Sequence, residues 1–266
     1  MRSQDAGTAS LFCYQTYRDI EKEITRLFHQ GHPFLGAFEN NILQGIVYGF
    51  QVPGQSRIDV SGPILIDMGL QAVVDNLLSH FRKDHSSKSL HFYFEKTNTD
   101  CEELLINHGA VVQGDEYMMQ ISRDACASGQ PSLDVTPMKN HEEPIFIDLL
   151  ERVMGTQYID GPEIIADENR SVQLYHQGLR ICRFLVLKAV PSKDHAVMEI
   201  IGTESSFQNQ GLCRILLGHA LDCLCENPSV QNIKLIVDAA NTRALHLYTF
   251  TGFQITKTNK SYELSA

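Results

Sequence analysis

The sequence predicts an α/β fold in which strands and helices alternate and pack in layers. Two observations carry that prediction. The C-terminal half switches repeatedly between strand-like apolar runs and helix-like apolar stripes. Part of this pattern recurs in the N-terminal half at a fixed offset, which points to a duplicated architecture. With 266 residues, 43% hydrophobic and 20% charged, the chain can bury a substantial core and lacks the composition of a disordered one.

The elements follow in order. Residues 123–131 (RDACASGQP) are small, polar and punctuated by Gly and Pro, as a linker is. The expected division is a domain over 1–122, a linker over 123–132 and a second domain over 133–266. In the second domain Asn140 is placed to cap a helix reaching about Val153, with Glu142 and Glu143 near its positive end. Pro162 marks the start of another helix, expected to run to about His176. Ile181–Val190 reads as a buried strand and Ala196–Thr203 as the next, joined by a turn at 191–194. A polar loop, Glu204–Gln210, leads into a helix from Gly211 to about Glu226. Its stripe is Leu212, Leu216, Ala220 and Leu224, widened by Leu217 and Leu221, and Pro228 stops it. Ile233, Leu235 and Val237 alternate as a strand. A short helix spans Thr242 to about Thr251, with Asn241 as its N-cap and Gly252 as a left-handed stop. A final strand starts at Phe253.

A shift of 143 residues superposes part of this pattern on the N-terminal half without a gap. Leu90, Phe92 and Phe94 fall on Ile233, Leu235 and Val237. Asn98 and Thr99 fall on Asn241 and Thr242, Leu104 on Leu247, and Gly109 on Gly252. The repeated unit is strand, Asn-capped helix, Gly stop, strand.

Composition excludes several classes of function. A formal net charge of −10 with no basic run is wrong for gripping nucleic acid, which needs clustered Lys and Arg. The acidity suits an amine-bearing partner through steering. Seven cysteines, an odd number without zinc-type CxxC spacing, read as free thiols in a reducing compartment, with disulfides or metal as the alternatives. His219 and His246 lie on predicted helices without a metal-spaced partner, so no metal is expected. The N-terminal MRSQDAGTAS lacks the apolar run of a signal peptide, and nowhere is there the apolar stretch of about 18 residues that a membrane span needs. The expectation is a cytoplasmic chain, away from the membrane, as a monomer or homodimer.

The chemistry concentrates in two segments. In Ile201–Leu217 (IGTESSFQNQGLCRILL) a strand runs into a loop with Gln208, Gly211 and Cys213 spaced one, four and six, and then into a helix. The first N–H groups of a helix lack internal partners and carry the positive end of the dipole. A glycine lets the backbone approach a bulky anion, and a small residue at 213 keeps the first turn clear. The product is a cradle for a pyrophosphate. Cys213 reads as a packing residue, with a reactive thiol at a helix N-terminus as the other reading. The second segment, Val237–Phe253 (VDAANTRALHLYTFTGF), places Asn241, Ala244, Tyr248, Gly252 and Phe253 in a strand–cap–helix–stop order.

Together these segments resemble the GNAT family of acyl-CoA N-acyltransferases. Gln208-x-x-Gly211-x-Cys213 is similar to its Q/R-x-x-G-x-G/A loop, departing at the sixth position, where cysteine replaces Gly or Ala. The second segment is similar to the family's following strand and helix, one helix and one strand downstream. The resemblance covers residues 133–266 well and the N-terminal half in outline. It implies a GNAT fold with a mixed sheet, two tandem GNAT-like halves, and acetyl-CoA as co-substrate without a metal. It implies transfer of acetyl to a primary amine, expected to belong to a small molecule. By resemblance, the loop residues Gln208, Asn209, Gln210, Gly211, Leu212 and Cys213 hold the pyrophosphate, and Ile201 and Thr203 offer main-chain contacts to the pantetheine arm. Asn241 reads first as an N-cap, with a cofactor contact, implied by the resemblance, as the other reading. Tyr248 matches the general acid, and a phenol with pKa near about 10 is protonated at neutral pH. Glu199 is the candidate base, with a paired strand residue as its other reading.

In the N-terminal half, Gly69 stands where Gly211 would fall, but Ile66 replaces the polar loop residue and Leu105 stands at Tyr248. That half is expected to be degenerate. Two non-enzymatic alternatives remain beside the transferase: a non-catalytic acyl-CoA-binding or regulatory module, and an interaction scaffold.

Overall fold

A computed structural model describes residues 24–51, 56–65, 71–125, 134–155, 161–189, 195–208, 210, 212–226 and 229–265, without the side chains of 71, 212 and 223–226. Of the expected site and linker residues, Ile66, Gly69, Asn209, Gly211 and 126–132 lie outside the described residues. The chain forms two compact units. One is Met1–Glu116 with Thr258–Ala266, and the other is Tyr117–Lys257.

The first unit begins with helix α1 (24–29) and strands β1 (Phe34–Glu39), β2 (Ile42–Phe50) and β3 (Arg57–Leu65). Helix α2 (Gln71–Asp84), strand β4 (Ser89–Glu95), helix α3 (Thr99–Asn107) and the start of β5 (Val111–Ser122) follow. β1, β2 and β3 are antiparallel neighbours. β3 and β4 are parallel, joined through α2 as a parallel pair requires. The last residues of β11 (Gln254–Leu264) complete this unit, pairing antiparallel with β4 from Asn259↔Glu95 to Leu264↔Leu90. Val74, Leu77, Leu78 and Phe81 of α2 form one helical stripe, packed in a core with Leu90, Phe92, Leu105, Tyr262 and Leu264.

The second unit begins within β5 and continues through β6 (Val135–Pro137), α4 (Glu143–Met154), α5 (Gly161–Ala166), β7 (Arg170–Gln177) and β8 (Arg180–Ala189). Strand β9 (His195–Thr203), α6 (Leu212–Glu226), β10 (Asn232–Asp238), α7 (Thr242–Phe250) and the start of β11 follow. β6 to β9 are antiparallel neighbours, and β9 and β10 are parallel, connected through α6. Residues 117–122 lie beside β10, and Met119 and Ile121 join its core.

Two expectations are corrected. Asn140 does not cap α4. It opens a short 3-10 turn, Asn140–Glu142, in which the Lys139 N–H donates to Glu142 Oε2 at 2.8 Å, and α4 starts at Glu143 with Pro144 in its first turn. The helix from Pro162 stops at Ala166, and Arg170–Gln177 is a strand. There Asp167 accepts from the Asn169 N–H at 3.0 Å, and Gly178 at φ +63 turns the chain into an antiparallel hairpin with β8. The helical reading overlooked this hairpin turn and the alternation of Val172 and Leu174.

The repeat is borne out at its full offset. Adding 143 takes β4 (89–95) to 232–238 and α3 (99–107) to 242–250. Asn98 accepts from the Cys101 N–H and Asn241 from the Ala244 N–H. Gly109 and Gly252 both have positive φ, +85 and +102. Among the described residues no helix is long and apolar enough to cross a membrane.

Candidate acyl-CoA site

The site begins with an irregularity in β9. Between β8 and β9 the register steps from Val186↔Ile200 to Leu187↔Met198, so Glu199 is an extra residue, a β-bulge. The bulge changes which face each side chain meets. Ala196 and Met198 pack toward α6, Ile200 packs with Phe146 and Phe184 on the α4 side, and Ile201 returns to the α6 side. A bulge also bends its strand. The parallel ladder with β10 covers only His195–Met198 against Asn232–Leu235, although β9 runs on to Thr203 and β10 to Asp238. Past the ladder the strands line a cavity of about 750 Å³, with Glu199–Thr203 on one wall and Ile236–Asp238 on the other. Gly202 has to be glycine here, because a Cβ would come within 2.2 Å of the Phe184 ring.

The sequence-predicted residues converge on this cavity. Ile201, Thr203, Gln208, Gln210, Cys213, Asn241, Glu199 and Tyr248 all line it. Leu212 is the first residue of α6. Gln208 is exposed, with its Nε2 donating to the Thr203 carbonyl at 3.4 Å. Cys213 Sγ lies 3.1 Å from Thr203 Oγ1. The Asn241 side chain is committed to its cap, accepting from the Ala244 N–H at 3.1 Å. Glu199 is committed as well: Arg170 Nε donates to Oε2 at 2.7 Å, and Arg170 Nη2 to Oε1 at 3.4 Å.

Tyr248 is 6% exposed and packs edge-on against Phe253 at 5.9 Å. No described residue hydrogen-bonds its hydroxyl. Burial, and secondarily the charge of Cys213, push its pKa up to about 12, so the phenol holds its proton across the physiological range.

Sequence reasoning missed the arginines. Glu204, 8% exposed, accepts on Oε1 from Arg152 Nη1 at 2.8 Å and Arg180 Nη2 at 2.6 Å, and Arg180 lies over the Phe207 ring at 5.1 Å. Arg183 is 1% exposed and lies over the Tyr175 ring at 5.4 Å; its Nη2 donates to the Phe207 carbonyl, while Nε and Nη1 have no hydrogen-bond partner among the described residues. These contacts pin the loop ahead of α6. Arg183, Arg214 and Arg243 line the cavity without a carboxylate partner among the described residues. Arg214 instead lies over the Phe250 ring at 4.5 Å. By contrast Arg57, Arg152, Arg170 and Arg180 are all paired with carboxylates. The available signal was a charge inside the buried run ICRFLVLKAV, which burial without a counter-ion makes costly by several kcal/mol on the order of magnitude.

Comparison with known proteins bears on this geometry. Residues 138–253 match the model of the acetyltransferase (GNAT) family. This segment is a GNAT domain. It contains β7 to β10 and α4 to α7, and therefore the whole cavity wall. Solved structures agree on the fold. The chain is similar to a GCN5-related N-acetyltransferase from Sphaerobacter thermophilus, with TM-score 0.72, 14% identity, and 91% of this chain covering 84% of that one. It is similar to a tandem GNAT protein from the clavulanic acid biosynthesis pathway, with TM-score 0.68, 10% identity, and 87% covering 82%. A GCN5-related N-acetyltransferase from Kribbella flavida gives 0.63, 15% identity, and 92% covering 93%. No curated protein matches the sequence. Outside the GNAT domain, these structures extend the likeness across both units. Among the described residues no group of three or more His, Cys, Asp or Glu could hold a metal ion.

Proposed function

We propose that the GNAT domain transfers the acetyl group of acetyl-CoA to a primary amine of a small molecule, with Tyr248 as general acid. The observation that carries this reading is the edge of β9 freed by the bulge at Glu199, facing a cavity into which a buried, protonated tyrosine opens. An extended edge offers unpaired N–H and C=O groups to a chain of amides, as in strand addition, and the pantetheine arm is such a chain. Ile201 and Thr203 are the contacts proposed for it. The phosphates would meet the N-terminus of α6 with Gln208, Asn209, Gln210, Gly211, Leu212 and Cys213, near the uncompensated Arg183, Arg214 and Arg243. Asn241 holds the start of α7 in place, and with it Tyr248.

In the reaction the neutral amine attacks the thioester carbonyl. The C–N bond forms, and the C–S bond breaks as the tetrahedral intermediate collapses. Tyr248 gives its proton to the departing thiolate, and the proton lost by the amine returns through water to the phenolate. Glu199, held by Arg170, is proposed to order that water.

The commitment of both Glu199 oxygens to Arg170 favours a second reading, a non-catalytic acyl-CoA-binding module. Titration with acetyl-CoA by calorimetry, followed by thiol release on a panel of amines, separates the two. Binding with thiol release supports the transferase; binding without it on any amine supports the module; no binding removes both. The sequence halves 1–122 and 133–266 are proposed as duplicated GNAT-like repeats with only the second functional, so one acetyl-CoA per chain is expected.

A further inference from the structure

We propose that the acceptor is an aliphatic amine carrying a second positive charge and no anionic group. This rests on the acetyl-CoA reading above and names the substrate class for the same cavity. The two faces of the opened strands differ in chemistry. On the α6–α7 face stand Tyr248, Cys213 and the arginines without carboxylate partners, which suit the polyanionic cofactor. The opposite face is left for the acceptor. Its lining is Val153, Met154, Ile200, Ile236, Glu199 and Asp238. Val153 and Met154 pack against the α4-side core that contains Ile200. Ile236 and Asp238 alternate along β10 with Val237, whose side chain is in the α6-side core, so they point to this face.

Four aliphatic residues and two carboxylates make this end of the cavity, with no base among its described lining residues. The bases behind it are already consumed. Arg170 faces Glu199 at 2.7 Å, Asp167 at 3.4 Å and Glu163 at 4.0 Å, and Lys188 faces Asp167 at 3.4 Å. With Asp238 that is four carboxylates against two bases. Asp238 accepts from the Ala240 N–H through Oδ1 at 2.8 Å, and no described base pairs with it. It can therefore meet a cation. A carboxylate on the acceptor would find repulsion at this end and no guanidinium to hold it.

The test compares three acceptors with one five-carbon body: 1,5-diaminopentane, pentylamine and 5-aminopentanoate, whose far ends are positive, neutral and negative. Thiol release at saturating acetyl-CoA gives kcat/KM for each. The expected order is diamine, then monoamine, then amino acid, with roughly tenfold or more between the first and last. Asp238→Asn keeps the oxygen that accepts from Ala240 and removes the charge. It should lower kcat/KM for the diamine severalfold and leave pentylamine unchanged, which a purely structural effect would not do. The amino acid matching or exceeding the diamine overturns the proposal. So does an Asp238→Asn variant that slows the diamine and the monoamine equally. Turnover of none of the three overturns it too, and calorimetry on the same protein then reports separately whether the acetyl-CoA reading stands.

Discussion

Tyr248→Phe separates chemistry from packing. The substitution keeps the ring that packs against Phe253 at 5.9 Å and removes a hydroxyl that no described residue hydrogen-bonds. Stability at neutral pH should therefore change by no more than about 0.5 kcal/mol. Turnover should fall about a hundredfold or more, the usual worth of a positioned proton donor, while acetyl-CoA affinity holds. The raised pKa adds a second signature. Burial first, and then the charge of Cys213, lift Tyr248 from 10.0 to about 12 in the folded chain. The fold favours the neutral phenol, so this contribution is fully present below pH of about 10 and is lost as pH rises toward about 12. A shift of about two units corresponds to about 2.7 kcal/mol in full and to about 1.3 kcal/mol at pH of about 11. Tyr262 is also raised by burial, but it is present in both proteins and cancels in the comparison. Denaturant melts at neutral pH and at about pH 11, with thiol-release kinetics at neutral pH, complete the assay. Wild-type turnover by the Phe variant would refute the acid assignment. An equal loss of stability at high pH in both proteins would refute the buried-phenol argument.

Three further outcomes are expected. Reversing both Arg214 and Arg243 to Glu should weaken acetyl-CoA at least about tenfold in calorimetry, and added salt should weaken the wild-type protein in the same direction; unchanged affinity would put the phosphates elsewhere. Gly202→Ala brings a Cβ within 2.2 Å of the fully buried Phe184 ring and should cost about 1–3 kcal/mol in a denaturant melt, in part recovered by Phe184→Leu, whereas a neutral effect would mean the ring moves freely. A 133–266 fragment should fail to fold, because Met119 and Ile121, 1% and 2% exposed in its core, precede it, and because Tyr262 and Leu264 are buried in the other unit's core. Each lost core side chain is worth about 2–5 kcal/mol against a total of about 5–15, so a soluble fragment that binds acetyl-CoA would contradict this reckoning.

The sequence was most legible where one local rule acts alone. Asn241 and Asn98 cap helices, Gly252 and Gly109 stop them, and Leu235 and Phe92 alternate into cores, all as periodicity and turn chemistry require. The strand Arg170–Gln177 was illegible to a helix-first reading because Pro162 does start a helix, and only the hairpin at Gly178 reveals how short it is. In the site, the described loop and α7 residues expected from spacing line the cavity. The arginines were not expected. Arg152, Arg180 and Arg183 converge on Glu204 and Phe207 from α4 and β8, and no pattern within either segment announces that meeting. The bulge was also invisible, since a single extra residue at Glu199 leaves the alternation of AVMEIIGT looking regular.

The two repeats show which positions the fold demands and which it does not. In the first unit the parallel ladder of β3 and β4 covers Arg57–Val60 against Ser89–Phe92, as short as that of β9 and β10. The cap, the stop and the alternating core are kept at the 143-residue offset. The residue that differs is the buried one of the last helix: Leu105 is 2% exposed where Tyr248 is 6% exposed. Both positions face apolar cores, so packing alone is served at least as well by leucine as by a phenol whose hydroxyl no described residue hydrogen-bonds. The Tyr248 hydroxyl opens onto the cavity rather than into the core. The repeat shows that the architecture tolerates an apolar residue at this position. Packing does not explain the tyrosine. The proton delivery proposed for Tyr248 would give the phenol a reason to be there.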